Sequence, residues 1–240
     1  MKKAIQIDII ILSYAQTEEL KQTTINCVNS LVNSENSEII NFNTIVIESE
    51  KSLSPYQYLH CKTIYTDLKF GYHRYMNFGI SLSSSPFICL CNNDLIFHEN
   101  WASEILKPFH QFVDVLSASP VCSNHHTKMG FKLNDGLKLG YRIGFEVAGW
   151  CLFVKRDIFR LIGKLDENYS FWFSDDDYAN TLYVLNITHV LVTSSIVDHL
   201  YSKTLFLQTE ERQVELTEKE EFYFGKKWNH RRGDNFVLIT

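Results

Sequence analysis

The chain has 240 residues, of which 45% are hydrophobic and 21% charged, so it can bury a sizeable core and is not a disordered chain. Its formal net charge of -5 argues against a general nucleic-acid binder, which would need a basic stripe. The segment after Met1 has no small-residue cleavage site, and no apolar run approaches the ~20 residues that cross a bilayer. We therefore expect neither a signal peptide nor a membrane span.

Strand and helix patterns alternate through the first half of the chain. The apolar runs predict strands at residues 5–14, 44–48, 62–66 and 87–91. Helical spacing predicts helices at residues 17–33, 71–82 and 99–113, with a kink at Pro108 in the last one. This β-α-β-α order predicts an α/β fold whose central sheet is mostly parallel, is flanked by helices and has right-handed crossovers.

The second half is less regular. We predict strands at residues 115–119, 147–154 and 189–193, and a long polar loop at 124–140. Helices are predicted at 157–162, between an Asp157 cap and a Gly163 stop, and at 176–185. A last helix, 217–227, starts with Thr217 and Glu220 in capping-box spacing. No linker or repeat interrupts the chain, so a single domain is expected.

The six cysteines lie at positions 27, 61, 89, 91, 122 and 151, and none forms a Cys-x-x-Cys pair. The spacing therefore argues against a zinc site. Cys89 and Cys91 alternate with Leu90 and are expected to be small core residues. This cysteine usage favours a reducing, cytoplasmic location. Peripheral association with the inner membrane face remains open.

A carboxylate and two amides follow the buried strand at 87–91. These residues, Asn92, Asn93 and Asp94, come where an open α/β sheet binds its ligands, at the carboxyl end of a strand. Asp94 could hold a hard divalent cation while the amides bind a sugar or phosphate oxygen. The alternative is a polar turn that closes the strand, because Asn and Asp are common turn residues.

Polar side chains also end other predicted strands or open predicted helices. Strand one ends in Ser13 and Tyr14, and strand two ends in Glu48. An aromatic and acidic segment, residues 171–177, opens a helix, and His199 follows the last predicted strand. In a parallel sheet these strand ends converge on one edge.

The ordered combination of these segments resembles the family 2 glycosyltransferases, which have the GT-A (nucleotide-diphospho-sugar transferase) fold. The resemblance covers about residues 5–228. Its motifs are Ile-Ile-Ile-Leu-Ser-Tyr, Thr-Ile-Val-Ile-Glu-Ser, the Gly71–Gly79 helix, Cys-Asn-Asn-Asp-Leu, Gly-Trp-Cys-Leu-Phe-Val and Ser-Asp-Asp-Asp-Tyr. The Asn-Asn-Asp form of the Asp-x-Asp motif is similar to that of rhamnosyltransferase-like members.

The resemblance implies one glycosyltransferase domain over residues 1–240, with a nucleotide-sugar half (about 1–114) and an acceptor half (about 115–240). The implied activity is an inverting, metal-dependent transfer of a sugar from a UDP- or dTDP-linked donor to an acceptor hydroxyl, in glycan or polysaccharide biosynthesis. The acceptor would be a saccharide, a glycolipid or a glycoprotein, and no nucleic acid is expected. The cofactor would be Mn²⁺ or Mg²⁺, held by Asp94 and His199.

The resemblance also assigns the donor site. Tyr14 would stack on the base, or would fill the core at the strand end. Glu48 would accept the N–H of uracil or thymine, with guanine not excluded; the family usually has Asp there, and the alternative is a solvated loop acid. Arg74 would reach a phosphate or be an exposed helix residue. The remaining donor-site residues are Ser13, Asn77, Asn92 and Asn93.

On the acceptor side, Asp175 is the candidate general base and Asp176 the second choice, whereas Asp177 is expected to be structural. An acidic first turn also stabilises a helix without any function. Ser174 replaces a carboxylate that many family members have. The predicted acceptor-binding residues are Gly149, Trp150 and Trp172, with a tight strand and a core aromatic as the alternative for the first two. His125 and His126 are expected to be solvated, with acceptor contact as the alternative.

Two other classes of function remain. A sugar nucleotidyltransferase would carry a Gly-rich, basic phosphate loop after strand one. The segment that starts at Ser13 and Tyr14 has no such loop. A non-catalytic carbohydrate- or nucleotide-binding module of the same fold would tolerate loss of Asp94 and Asp175. The presence of Asp94, Asp175 and His199 favours the enzyme.

Overall fold

The computed structural model describes residues 4–200 and 210–229, with side chains from residue 217 onward in the second range. The strands are β1 (Ile5–Ser13), β2 (Ile40–Glu48), β3 (Lys62–Tyr65), β4 (Phe87–Asn92), β5 (Leu95–Phe97), β6 (Val115–Val121), β7 (Leu137–Leu139), β8 (Cys151–Lys155) and β9 (Thr188–His199). The helices are α1 (Glu18–Asn33), α2 (Tyr72–Ser81), α3 (Trp101–Gln111), α4 (Phe159–Ile162), α5 (Ser174–Val184) and α6 (Glu210–Trp228).

All nine described strands join one sheet, in the order β3-β2-β1-β4-β8-β6-β9-β5, with β7 paired to β9. Strands β3, β2, β1 and β4 run parallel, and β9 runs parallel to β6. Strand β8 lies antiparallel between β4 and β6, so β6 and β9 point the same way as β1 and β4. The prediction of an α/β fold with a mostly parallel sheet is confirmed.

Helices cover both faces of this sheet. On one face, α1 and α3 pack against β1 and β4 through Leu31, Trp101 and Ile9. On the other face, α2 and α5 pack through Met76 and Leu182. Because β1 and β4 are covered on both sides, their residues are apolar almost without alternation, as the sequence showed.

Several predicted boundaries were wrong. Strand 147–154 begins only at Cys151, and the predicted loop 124–140 contains β7. Asp157 lies inside a 3₁₀ turn (Arg156–Ile158) rather than capping a helix, whereas Gly163 ends α4 as predicted, at φ 72°. Helix α6 begins at Glu210, so Thr217 is not its cap, and the Glu220 carboxylate bonds to another part of the chain.

Asp8 ties four parts of the sheet together at the end opposite the predicted site. Its carboxylate accepts hydrogen bonds from Asn43 Nδ2 (2.7 Å), Ser85 N (2.6 Å), Ser85 Oγ (2.8 Å) and Arg156 Nη2 (2.8 Å). The side chain is 0% exposed. Burial alone would raise the pKa of Asp8, but the bonds from Asn43, Ser85 and Arg156 outweigh it and hold the pKa below its usual value.

No helix within residues 4–200 or 210–229 combines the length and the apolar character that a membrane crossing requires.

Asp8→Asn should lower the free energy of unfolding at pH 7 by about 3 kcal/mol, because it leaves the Arg156 guanidinium without its charged partner. The folded pKa of Asp8 is lowered, so its contribution is present above pH 4 and is lost as the pH falls through the folded pKa. Urea unfolding at pH 7 and pH 3 measures both effects. An equal difference between wild type and variant at the two pH values would contradict the ion-pair interpretation.

Candidate active site

The carboxyl ends of several strands meet at one edge of the sheet. Ser13 at the end of β1 is level with Glu48 at the end of β2, and Leu12 is level with Asn92 at the end of β4. Strand β9 runs in the same direction, and its last residue, His199, is therefore at this edge too. The predicted convergence of the strand ends is present, and this edge is where an open α/β sheet binds ligands.

Asp94 and His199 form a buried pair at this edge. Asp94 follows β4, and the pairing of Leu95 with His199 brings β9 beside it. Asp94 Oδ1 lies 3.2 Å from His199 Nε2, and the two side chains are 9% and 13% exposed. Among the residues that the structure describes, no hydrogen bond reaches either carboxylate oxygen of Asp94. An oxygen and an imidazole nitrogen in this arrangement are suitable ligands for a divalent cation.

The Trp150 indole contacts three histidine rings. The Trp150 ring stacks on the imidazole of His199, with centroids 5.0 Å apart and planes inclined by 6°. His125 and His126 contact the same indole at 5.2 Å and 5.7 Å. The expectation that His126 is solvated was wrong, since it is 0% exposed. Burial lowers the pKa of His126 to about 4, so its imidazole is neutral at pH 7.

Asp175 lies against the backbone of Gly149. A Cβ at position 149 would stand 2.6 Å from Asp175 Oδ2 and 2.7 Å from Asp175 Cβ, closer than side chains approach one another. Position 149 must be glycine so that the Asp175 side chain can approach its backbone. The predicted alternative, a glycine inside a tight strand, is wrong, because β8 begins only at Cys151. Asp175 belongs to the first turn of α5, and its Oδ1 accepts a hydrogen bond from Asp176 N (3.1 Å). The adjacent residues Gly149 and Trp150 thus connect Asp175 to His199.

Glu48 is occupied by donors of its own chain. Its carboxylate accepts hydrogen bonds from Ala15 N (3.1 Å), Glu50 N (3.1 Å), Tyr56 Oη (3.0 Å) and Tyr58 Oη (2.9 Å). A carboxylate offers about four acceptor positions. The alternative of a solvated loop acid is wrong, because Glu48 is 0% exposed. In this structure a nucleobase N–H would have to displace one of these donors.

The two tyrosines keep their protons. Burial is the main cause that raises the pKa of Tyr58 to about 12, and the charge of Glu48 adds to it. Burial likewise raises the pKa of Tyr56 far above its usual value. Both hydroxyls therefore donate to Glu48 over the whole physiological pH range, and the loop at 56–58 is held against the end of β2.

Ser13, which was predicted to contact the donor, is buried instead. Its hydroxyl lies 2.8 Å from Thr24 Oγ1 and 3.1 Å from Tyr58 Oη, and it is 0% exposed. Asn93 Nδ2 donates to the same Thr24 oxygen at 2.8 Å. Tyr14 is half-buried beside them, and its hydroxyl accepts from Gln16 Nε2 at 2.6 Å. Thr24 of α1 thus joins the ends of β1 and β4.

Arg74 and Asn77 hold the loop before α5 rather than a phosphate. Arg74 donates to Glu167 Oε2 (3.2 Å), to the Glu167 carbonyl (3.3 Å) and to the Lys69 carbonyl (3.0 Å). Asn77 Nδ2 donates to the Leu165 carbonyl (2.8 Å), and its Oδ1 accepts from Leu165 N (3.1 Å). The prediction that these two residues contact the donor finds no support here, because their polar groups are used inside the chain.

Three cysteine sulfurs converge in the core under this edge. Cys89 Sγ lies 3.3 Å from Cys91 Sγ and 3.6 Å from Cys151 Sγ, and all three residues are 0% exposed. Burial raises the pKa of Cys89 and of Cys91 well above the usual value, so both thiols are neutral. The prediction that Cys89 and Cys91 are core residues is confirmed. Sulfur ligands are unsuited to Mn²⁺ or Mg²⁺, so these thiols are not part of the oxygen and nitrogen pair above.

Two features of the site were missed in the sequence. Glu220 accepts hydrogen bonds from the backbone amides just before α5, including Trp172 N at 2.7 Å. From the sequence, Glu220 was assigned to a helix cap, because it follows Thr217 at the spacing of a capping box. The burial of His126 was also missed, since its loop is polar and its contact with Trp150 forms only in the folded chain.

A comparison with protein-family models identifies the family of this chain. The model of glycosyl transferase family 2 matches residues 8–159, well over half of the chain. The chain belongs to glycosyl transferase family 2. The family membership confirms that the protein is a glycosyltransferase, and the match includes the strand end with Asp94 and the Gly149-Trp150 pair. No curated protein sequence matches this glycosyltransferase.

Solved structures share the fold at low sequence identity. GalNAc-T7 with UDP, GalNAc and Mn²⁺ has a TM-score of 0.65 and 10% identity, covering 93% of this glycosyltransferase and 51% of its own chain. Mannosyltransferase PcManGT from Pyrobaculum calidifontis, with GDP-Man and Mn²⁺, has a TM-score of 0.63 and 10% identity, with coverages of 95% and 65%. This glycosyltransferase therefore spans about half the length of the GalNAc-T7 chain. The GT-A fold is confirmed.

A third similar structure is glucosyl-3-phosphoglycerate synthase from Mycobacterium tuberculosis with Mn²⁺, UDP and glucosyl-3-phosphoglycerate. It has a TM-score of 0.61 and 11% identity, covering 92% of this glycosyltransferase and 80% of its own chain.

Gly149→Ala should lower glycosyl transfer roughly 100-fold, because the added methyl group must push the Asp175 carboxylate out of place by about an ångström. Steady-state rates of nucleotide release measure the loss. Gly71→Ala is the matched control, since a Cβ at position 71 meets its nearest neighbours at an ordinary 3.5 Å. Equal activity of the two variants would show that the contact between Gly149 and Asp175 is unimportant for the reaction.

Proposed function

We propose that this glycosyltransferase uses a divalent cation on Asp94 and His199 to bind a nucleoside-diphosphate sugar, and transfers the sugar with inversion to an acceptor hydroxyl. The observation that carries the proposal is the Asp94 carboxylate, buried beside an imidazole at the ligand-binding edge of the sheet. Other buried carboxylates in the described chain are supplied with donors. Asp8 and Glu48 accept four hydrogen bonds each, whereas the side chain of Asp94 accepts none from the described residues.

This donor set fits a cation. A buried carboxylate without hydrogen-bond donors is costly unless another positive group compensates it. One carboxylate and one imidazole leave most of the coordination shell to diphosphate oxygens and water, as Mg²⁺ and Mn²⁺ require, and the imidazole favours Mn²⁺ slightly. The bound cation would neutralise the charge of the leaving diphosphate. The Mn²⁺ ions in the GalNAc-T7 and PcManGT structures support this assignment.

Asp175 is the proposed general base. Its carboxylate would take the proton of an acceptor hydroxyl while that oxygen forms a bond to the anomeric carbon of the sugar. The bond from the anomeric carbon to the diphosphate oxygen breaks, and the nucleoside diphosphate leaves with the electron pair. Attack from the opposite face inverts the anomeric centre. Trp150, which stacks on His199, and Trp172, which precedes α5, would pack on the sugar rings of a glycan acceptor.

The proposed donor is UDP- or dTDP-linked. Tyr14 follows β1 and is half-buried, and its ring would stack on the base. Glu48 would act indirectly, because it fixes the Ala15 amide and the Tyr56 hydroxyl beside that position. The UDP held by GalNAc-T7 and by the glucosyl-3-phosphoglycerate synthase supports UDP as the first choice. A cytoplasmic location fits the six unpaired thiols.

Calorimetric titration with UDP and dTDP, with and without Mn²⁺, tests the cation site. Wild type should bind one of the two nucleotides only with Mn²⁺ present. Asp94→Asn should weaken this binding at least about 100-fold, because it removes the charged ligand. Asp67→Asn, at an exposed carboxylate, is the control. Equal Mn²⁺-dependent binding by wild type and by Asp94→Asn would refute the assignment, and GDP is titrated if neither nucleotide binds.

Asp175→Asn and Asp176→Asn separate the two candidate bases. Loss of a general base typically lowers the rate by ~10²–10⁴-fold. We expect a loss of that size in the kcat of Asp175→Asn, with nucleotide binding unchanged, and a smaller loss in Asp176→Asn. The rate of UDP release from the donor sugar measures both. The larger loss in Asp176→Asn would exchange the two roles.

A further inference from the structure

One face of helix α6 packs against the segment that precedes Asp175. Glu220, Phe224 and Trp228 are spaced by four residues and therefore share a side of the helix. Each of them contacts residues immediately before or inside the first turn of α5. From the sequence, a last helix was predicted at 217–227, and none of its residues was given a role in the reaction.

The first contact is made by the Glu220 carboxylate. Its Oε1 accepts a hydrogen bond from Ser170 N (2.7 Å), and its Oε2 accepts from Phe171 N (3.2 Å) and Trp172 N (2.7 Å). Glu220 is 2% exposed. Hydrogen bonds to a buried charged group are stronger than bonds between neutral groups, so three successive amides are held in one orientation.

The second contact fixes a backbone conformation that is uncommon for a bulky residue. Phe173, the residue before α5, has φ 58°, in the left-handed region. Such a conformation persists only where the surroundings determine it, and it is typical of functional sites. The Phe173 side chain is 1% exposed and packs on Phe224, with ring centroids 5.1 Å apart. Helix α6 therefore holds Phe173 through its ring and through the amides that precede it.

The third contact lies beyond the two candidate bases. Asp177 Oδ1 accepts a hydrogen bond from Trp228 Nε1 (2.8 Å) and lies 2.7 Å from Lys227 Nζ. Asp177 is 3% exposed, in agreement with the structural role predicted for it. Helix α6 thus fixes the chain at residues 170–173 and again at 177, and the two proposed bases, Asp175 and Asp176, lie between these points.

We propose that α6 positions the catalytic carboxylate, with Glu220 as the main positioning residue. The inference rests on the proposed role of Asp175. Orientation of α5 at its first turn decides whether the Asp175 carboxylate reaches its place against Gly149, and Glu220 determines how the backbone enters that turn. Loss of the Glu220 carboxylate should therefore affect the chemical step and leave two other sites as they are: the cation site at Asp94 and His199, and the nucleotide site at the ends of β1 and β2.

The test compares Glu220→Gln with Glu221→Gln, an exposed neighbour on the same helix. Glutamine keeps the shape but turns one acceptor oxygen into a donor that faces backbone N–H groups. We expect faster hydrogen exchange of the amides at 170–177 in Glu220→Gln alone. The rate of hydrolysis of the UDP-sugar, with water as acceptor, should fall about tenfold or more. The Kd for UDP with Mn²⁺ should stay within about twofold of wild type.

Phe224→Leu is the second variant. It removes part of the ring contact with Phe173 without changing a charge. We expect faster hydrogen exchange of the amides at 170–177 and slower hydrolysis of the UDP-sugar, as in Glu220→Gln. It also provides a measurement if Glu220→Gln does not fold.

Three results would overturn the proposal. These are unchanged exchange and rate in both variants, equal effects in Glu221→Gln, or a loss of UDP binding and melting temperature in proportion to the loss of rate. The last result would make α6 a general stabiliser. Failure of the proposed function is distinguishable, because wild type itself would then bind no nucleotide with Mn²⁺, and exchange at 170–177 would still respond to Glu220→Gln.

Discussion

The two residues Gly149 and Trp150 are the structural link on which the whole site depends. One side of this dipeptide receives Asp175 at a distance that only a glycine permits, and the other side stacks the indole on His199. Its backbone is also fixed, since the Trp150 carbonyl accepts a hydrogen bond from Asn92 N at the end of β4. A carboxylate from α5 and an imidazole from β9 are therefore brought to the same short stretch of chain.

Buried carboxylates play opposite roles in this molecule, and their hydrogen bonds distinguish them. Asp8, Glu48 and Glu220 each accept three or four donors, so each one fixes pieces of backbone that are distant in the chain. Such groups stabilise a fold because their charge is compensated in place. Asp94 is also buried but lacks such donors among the described residues, and for this reason we propose it as a ligand of the cation.

The sequence predicted the parts of the fold that depend on local pattern. The continuous apolar run that ends at Cys91 predicted a strand covered on both faces, and the polar residues after it predicted the place of Asp94. Gly149 was predicted as an acceptor-binding residue, whereas its contact with Asp175 was not predicted. These inferences succeeded because strand period, burial and the geometry of parallel sheets relate short segments directly to position.

Other side chains could not be assigned because their partners are remote in the chain. The donors to Glu48 come from residues 15, 50, 56 and 58, and the sequence around Glu48 does not indicate them. Asn77 and Arg74 looked like ligands of a phosphate, yet they bond to a loop about 90 residues away. The capping-box spacing of Thr217 and Glu220 was a local coincidence, and the tertiary contact with residues 170–172 decided the role of the carboxylate.

The buried cysteines are natural probes of local unfolding in this enzyme. Five of the six thiols are buried and only Cys61 is partly accessible, so a thiol reagent in solution can reach the others only when the chain around them separates. Cys89, Cys91 and Cys151 lie on β4 and β8, directly behind the edge that carries Asp94 and Trp150. The rate at which a thiol reagent labels them would therefore report how often the centre of the sheet opens. No engineered cysteine or other probe is needed.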